Sequence, residues 1–434
     1  MSPARQRSFR IELLWAVLAV LANAPGVGRA SSNVTLRDFS GAVYLSSAEI
    51  DRQLGIGWTR QDFSWGAIEP ERGKWDWAKY DRVVEDAHAQ SVQVLPVLDF
   101  TAPWAAKTAG ERFYVPQRVE DWEDYVYHVV ARYSQPPFNL RYFQVWNEPT
   151  REAGFWKGAD HEFIDQIYLP AAKIIRSHKC YVVFGGWPMN GGLARFNDVL
   201  TYHDAWKFTD IVDVHYYGNA GWQPLYDRWV KTGQCKGIWQ TEVGFVGDFS
   251  YLPSLYLWSL HWALQSGWND PDQYRVFWYA IGGTGANADR CLTTLDSSGK
   301  TVLTEQGRRL AVINDVLGGG ALSLFDQFSS VPPIAPSTIE TRPMALGFRV
   351  GDHRVVIAFL LDRDTCERSP AIRVRADVGS KPARIELVTV SGERQALTGS
   401  YRSGRVDVSI PLQLVRQTLG NSRSAFTYLE LDGQ

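Results

Sequence analysis

Tyr142-Phe143-Gln144-Val145-Trp146-Asn147-Glu148-Pro149 reads as a short apolar strand that runs straight into a carboxylate. Gly237-Ile238-Trp239-Gln240-Thr241-Glu242 has the same form. Glu148 and Glu242 are 94 residues apart, which leaves room for three strand-helix units of ordinary length between them. Working outward, further β-branched or aromatic runs stand at Gly41–Leu45, Gly57–Asp62, Val92–Leu98, Tyr181–Gly185, Ile211–His215 and Val276–Ile281. Helical periodicity falls between them, at Trp77–Ala89, Val119–Tyr133, Phe163–Ser177, Pro224–Thr232 and Pro253–Ser266. Eight such units over residues 31–320 predict a TIM (β/α)8 barrel, with Glu148 ending the fourth strand and Glu242 the seventh. An open doubly wound sheet is the competing α/β reading, but no glycine-rich dinucleotide loop follows the first strand. Gly282-Gly283-Thr284-Gly285 has the wrong spacing for one, and Gly299-Lys300-Thr301 lacks the upstream glycine of a phosphate loop.

The composition narrows the chemistry. The chain has 434 residues, 45% of them hydrophobic and 21% charged, so a large buried core is available and wholesale disorder is excluded. A formal net charge of −2 offers nothing to a polyanion, and no nucleic-acid partner is expected. Eighteen Trp, 19 Tyr and 20 Phe are the outlier, and flat apolar rings suit the faces of sugars. Eight His and four widely spaced Cys leave little material for a metal centre, so neither metal nor cofactor is expected.

Arg5, Arg7 and Arg10 precede an apolar run from Ile11 to Ala24 and a small-residue stretch, the layout of a secretory signal peptide over residues 1–30. At about 14 residues the run is short of the ~20 that span a bilayer, which disfavours the alternative of a retained anchor. An exported chain, periplasmic or secreted and without stable membrane insertion, follows as the expectation. Export permits disulfides, and Cys180 and Cys235, each just before a predicted strand, are the candidate pair.

Past Gly318-Gly319-Gly320 the character changes. Residues 321–434 contain no Trp and a single Lys, Lys381, and break into short β segments: Ala345–Val350, Arg354–Leu361, Ala371–Val378, Ala383–Val390 and Arg405–Ile410. A C-terminal β-sandwich over 321–434 is expected, packed against the barrel and poorly equipped to hold sugar.

Two carboxylates at matched strand ends across a barrel mouth could flank one bond, as acid and nucleophile. Trp146-Asn147-Glu148-Pro149, Trp239-Gln240-Thr241-Glu242-Val243-Gly244-Phe245 and the ordered stretch Asp62-Phe63-Ser64-Trp65-Gly66-Ala67-Ile68-Glu69-Pro70-Glu71-Arg72-Gly73-Lys74-Trp75-Asp76-Trp77 together resemble glycoside hydrolase clan A, and within it family 39. The resemblance covers about residues 38–434 and implies a retaining glycosidase, with Glu148 as acid/base and Glu242 as nucleophile. It implies that Arg60 and Tyr217 contact the nucleophile, that Asn147 bonds the sugar 2-hydroxyl, and that Trp278 floors the first sugar. His215 is either a ligand contact or a satisfied strand histidine. Chemistry asks the same of the pair: a retaining site needs its carboxyls about 5 Å apart, one protonated and one ionised. Rings following nearly every strand, among them Trp65, Trp104, Phe155, Trp156, Trp187, Trp222, Phe245, Phe249 and Tyr251, suggest a groove gripping several sugars of a polysaccharide. Endo-cleavage is therefore expected. An exo-acting β-xylosidase-like enzyme and a non-catalytic glycan binder are the alternatives.

Overall fold

A computed structural model describes residues 34–244, 250–283, 285–334, 343–417 and 424–433. The expected signal peptide, Phe245 and Phe249 lie outside the described residues. Eight parallel strands run in chain order: β1 Ser40–Val43, β2 Trp58–Ser64, β3 Gln93–Asp99, β4 Tyr142–Val145, β5 Tyr181–Val183, β6 Ile211–His215, β7 Gly237–Val243 and β8 Tyr274–Trp278. Each pairs with its neighbours, β1 pairs with β8, and Val183 opposite Ile211 joins β5 to β6, so the sheet closes on itself. A two-residue strand, Trp187–Pro188, lies beside β6. All eight strands fall where the apolar runs predicted them.

Helices cover the outside of the barrel through apolar stripes. In Val119–Tyr133 the buried residues Trp122, Tyr125, Val126, Val129, Val130 and Tyr133 recur at helical spacing. Tyr251–Gln265 is different, being buried all round from Leu252 to Leu264. It lies between the barrel and the C-terminal sheets, and the His261 ring meets the Phe348 ring edge-on at 5.7 Å.

Inside the barrel, side chains alternate inward and stack in layers. The lowest layer is apolar: Trp58, Leu95, Tyr142, Val183, Ile211, Trp239 and Phe277 form one buried cluster. The Arg275 guanidinium is held against it, 3.7 Å from the Trp58 ring centre and 4.5 Å from that of Trp239. Two residues further along β2, β4, β6 and β7 the inward positions become polar: Arg60, Gln144, Asp213 and Thr241, all buried. That polar layer is the floor of the site.

The tail carries two antiparallel sheets. One has six strands, in the order Leu322–Leu324, Met344–Val350, Arg354–Asp362, Ser424–Asp432, Arg384–Thr389 and Arg394–Ala396; the other has four, Phe328–Val331, Ala371–Asp377, Arg405–Pro411 and Gly399–Arg402. Ile357, Phe359 and Leu429 of the first share a buried cluster with Val374, Val406 and Val408 of the second. The opposite face of the six-stranded sheet, through Leu346, Phe348, Val356 and Tyr428, joins the barrel core. The long strand Ser424–Asp432 was not anticipated. It is buried on both faces, so it lacks alternation, and Thr427 and Glu430 interrupt its apolar run; Arg384 and Arg394 satisfy buried Glu430 at 3.3 and 3.2 Å.

The Cys180–Cys235 bridge is corrected: all four cysteines are free and buried. The Cys180 thiol instead faces the backbone carbonyl of Leu140 at 3.7 Å. Among the described residues, no helix is long and apolar enough to cross a membrane.

Candidate active site

At the C-terminal ends of the strands the chain leaves regular geometry. Trp146 and Glu148 have positive φ (71° and 45°), a region that non-glycine residues seldom adopt, and so does Tyr216 at 58°. Val214 lies opposite Gln240 but His215 lies opposite Glu242, so Thr241 is an extra residue in β7. That bulge brings Thr241 and Glu242, neighbours in sequence, into the same buried network.

Arg60 anchors the network. Its Nε donates to Gln144 Oε1 at 2.9 Å, Nη2 to Asn147 Oδ1 at 2.6 Å and Nη1 to Glu242 Oε2 at 3.3 Å. Burial alone would lower its pKa, but Glu242, Asp62, Asp213 and Asp99 around it outweigh that and hold it above its ordinary value. Glu242 also accepts at Oε1 from the Tyr216 hydroxyl, 2.8 Å away. A cation and a hydroxyl donor thus both face its carboxylate.

Glu148 is placed differently. It is 8% exposed, and Oε1 meets His215 Nδ1 at 3.0 Å. Burial raises its pKa from 4.5 to about 7, with Arg60 opposing. One oxygen of Glu148 and one of Glu242 lie within 4.8 Å of each other. Two carboxylates this close, one raised by desolvation and one paired with a cation, are matched to acid and nucleophile roles.

Behind them runs a buried chain. His215 Nε2 meets Thr241 Oγ1 at 2.9 Å; the Thr241 hydroxyl meets Asp213 Oδ2 at 2.7 Å, and its backbone N–H donates to Asp213 Oδ1 at 3.1 Å. Burial lowers His215 to about 3, so the ring is neutral, and raises Asp213 to about 8 against the Thr241 hydrogen bonds and Arg60.

Glu148, His215 and Glu242 gather three donor atoms within 4.8 Å. Both His215 nitrogens are already hydrogen-bonded, and the Arg60 guanidinium sits on Glu242. The set fits a hydrogen-bonded carboxylate pair rather than a cation cage.

A β-galactosidase family model matches residues 42–106, from β1 to the loop after β3. No curated protein sequence matches the chain. Among solved structures, a family 39 glycoside hydrolase from the gut symbiont Bacteroides cellulosilyticus aligns over 93% of this chain and 82% of its own, with a TM-score of 0.62 at 15% identity. A family 30 endoxylanase from Clostridium papyrosolvens aligns over 93% and 98%, with a TM-score of 0.60 at 16% identity. A family 39 enzyme from Xanthomonas axonopodis pv. citri gives 93% and 96%, 0.55 and 14%. The chain thus shares the overall fold of these three glycoside hydrolases.

Within this barrel the expected residues fare unequally. Glu148, Glu242, Asn147 and Arg60 meet at the mouth. Tyr217 does not reach Glu242, and its neighbour Tyr216 does. The positive φ at Tyr216 turns that ring into the mouth, while Tyr217, 5% exposed, faces the Pro188 carbonyl at 3.4 Å. His215 is fully buried and touches Glu148 rather than open space. Trp278 is also corrected. It is 1% exposed with Nε1 donating to the Arg290 carbonyl, and the half-buried ring at that strand end is Tyr279, with the Arg290 guanidinium 5.7 Å from its centre.

The row of stacking rings shrinks as well. Trp65 and Trp187 are buried, Trp65 against Tyr125 with Nε1 on Glu69, and Trp187 against Phe196 with Nε1 on the Gly192 carbonyl. Trp156 and Trp222 are buried too. Trp104 is half-buried, but Nε1 is bound to the Glu69 carbonyl and Arg72 lies 5.1 Å from its ring. These rings hold the loops in place, because indoles fill the wide gaps between βα loops and find carbonyls for their N–H. Trp146 likewise turns into a cluster with Phe100, Trp122 and Trp156, so Glu148 owes its raised pKa to its own burial.

Sequence reasoning missed Tyr216, Tyr279, Gln144, Asp213 and Thr241. Period two along β6 carried a signal for one of them: Ile211, Asp213 and His215 share the inward face, and an Asp there needs a buried partner.

Proposed function

We propose that the chain is a retaining glycoside hydrolase in which Glu148 is the acid/base and Glu242 the nucleophile. The observation that carries this is the contrast between two carboxylates within 4.8 Å: Glu148 raised to about 7, and Glu242 held by Arg60 and Tyr216. Glu242 attacks the anomeric carbon while Glu148 gives its proton to the departing oxygen, leaving a glycosyl ester on Glu242. Glu148, now ionised, takes a proton from water as that water cleaves the ester and restores the acid. Arg60 holds the carbonyl oxygen of Asn147, which leaves the amide nitrogen as its donor toward a sugar 2-hydroxyl.

Anomer-resolved NMR of the first product on a panel of exopolysaccharides and plant β-glycans tests the reading. Retention is expected, and inversion would reject it. Glu242→Ala should abolish turnover, with azide restoring it as an inverted glycosyl azide. If Glu242→Gln left the biological function intact along with binding, the chain would be a glycan binder on an enzyme fold.

The substrate is proposed to be an exported or cell-surface polysaccharide cut internally. Tyr44, 39% exposed after β1, and half-buried Tyr216 and Tyr279 after β6 and β8 supply rings on several sides of the mouth. A viscosity drop that outruns the release of reducing ends supports endo-cleavage; steady monosaccharide release at constant viscosity favours the exo-acting alternative. Export rests on the charged and apolar N-terminus alone. The two C-terminal sheets are proposed to form a sandwich that buttresses the barrel, supported by their shared apolar cluster.

A further inference from the structure

Three hydrogen bonds behind Glu148 lies a buried carboxyl that takes no part in the double displacement. Asp213 has no exposed surface, and its route to the cleft runs through Thr241, His215 and Glu148, at 2.7, 2.9 and 3.0 Å. Thr241 and His215 can each donate in either direction, because a hydroxyl carries one hydrogen and two acceptor sites and a neutral imidazole one of each. The Thr241 hydroxyl also lies 3.3 Å from Gln144 Oε1, farther than from Asp213 or His215.

The chain therefore has two arrangements. With Asp213 ionised, Thr241 Oγ1–H donates to Asp213, His215 Nε2–H donates to Thr241, and bare Nδ1 accepts the acid hydrogen from Glu148 Oε1. The acid proton is then held back from the sugar. If a proton from the cleft adds to Glu148 Oε2, three hydrogens each move one link: Oε1 to Nδ1, Nε2 to Oγ1, and Oγ1 to Asp213 Oδ2. Glu148 stays neutral, its proton now on the cleft-facing oxygen, and Nδ1–H donates to Oε1. One proton has entered and Asp213 has gained one.

We propose that Asp213, Thr241 and His215 form a proton relay that decides whether the acid proton of Glu148 faces the substrate or the barrel interior. Asp213 and Thr241 are positioning residues that act through His215, and the inference rests on the acid role given to Glu148. The charged and titratable groups facing the relay are Arg60 from β2, Glu242 from β7 and Tyr216 after β6. Arg60 favours ionised Asp213 and Glu242 opposes that; Tyr216 and Arg60 also face Glu148. Asp213 raised to about 8 and Glu148 to about 7 bring both ionisations into a range that can be titrated.

The relay is tested without any substrate. Long-range 1H–15N spectra are recorded on 15N-histidine Glu148→Gln protein, whose amide stands for the neutral acid and can accept from or donate to Nδ1. With His215→Gln used to assign the signal, they should show His215 as the Nδ1–H tautomer at pH 5.5 and as Nε2–H at pH 9. Asp213→Asn presents an amide N–H to Thr241 and should keep Nδ1–H at both values. Thr241→Val should remove the pH dependence. One tautomer in Glu148→Gln at both values, or an exchange that persists when Asp213→Asn is added to it, overturns the relay. With an unactivated substrate, log kcat/KM should fall with slope −2 above both ionisations in the wild type and −1 in Asp213→Asn; equal slopes count against it. Absence of turnover on every glycan would reject the glycosidase reading while leaving the tautomer result to decide the relay.

Discussion

Replacing Glu148 with Gln isolates the free energy stored in a buried acid. In the folded chain its pKa stands at about 7 against an ordinary 4.5, raised by burial and opposed by Arg60. Between these values the folded chain keeps a proton that the unfolded chain has released. Stability from this group is therefore fully present below pH 4.5 and is lost as pH rises through about 7. At about 1.4 kcal/mol per pH unit, the difference is about 3 kcal/mol. Gln keeps the shape and never ionises, so the variant lacks this loss. It should match the wild type at pH 4.5 and exceed it by up to about 3 kcal/mol at pH 8. Urea unfolding followed by tryptophan fluorescence at pH 4.5, 6 and 8 reads the difference, provided the m-values agree. A variant no more stable at pH 8 than at pH 4.5, relative to wild type, would refute the reasoning. Glu148 would then ionise without a desolvation cost, and its acid role would lose its physical basis.

Removing the Tyr216 hydroxyl takes a donor from an ionised carboxylate, worth about 1.5–3 kcal/mol. Tyr216→Phe should therefore lower kcat/KM about 10- to 100-fold, whereas Tyr217→Phe should change it little; the reverse order would restore the sequence-based assignment. Gly186 has φ +61°, and a Cβ there would overlap the His215 ring. Gly186→Ala should depress hydrolysis of natural linkages more than that of activated aryl glycosides, as measured by the ratio of the two rates. Glu148→Ala should show the same bias more strongly, because a good leaving group needs no proton; equal losses on both substrates would remove the acid assignment. Dialysis against EDTA should leave activity unchanged in an assay with the same glycoside, and a loss reversed by added divalent ions would contradict the carboxylate-pair reading.

The barrel could be read from the chain because each strand is a local apolar run and each helix a local stripe, and both signals survive without any neighbour. Glu148 and Glu242 were visible for the same reason, as carboxylates at the ends of such runs. What the sequence by itself could not decide was which way a side chain turns once the strand stops. Tyr216 and Tyr217 differ by one position, and a left-handed turn at Tyr216 sends the first to Glu242 and the second to Pro188. The extra residue in β7 brings Thr241 into line with His215 and Asp213, a pairing set by register between strands 26 and 28 residues apart. Aromatic rings after strand ends look alike in sequence, yet Trp65 and Trp187 are buried while Tyr44 and Tyr279 reach solvent. Local periodicity determines which elements form and roughly where the chemistry stands. Direction, burial and protonation depend on contacts between segments far apart in the chain, and only the closed barrel supplies them.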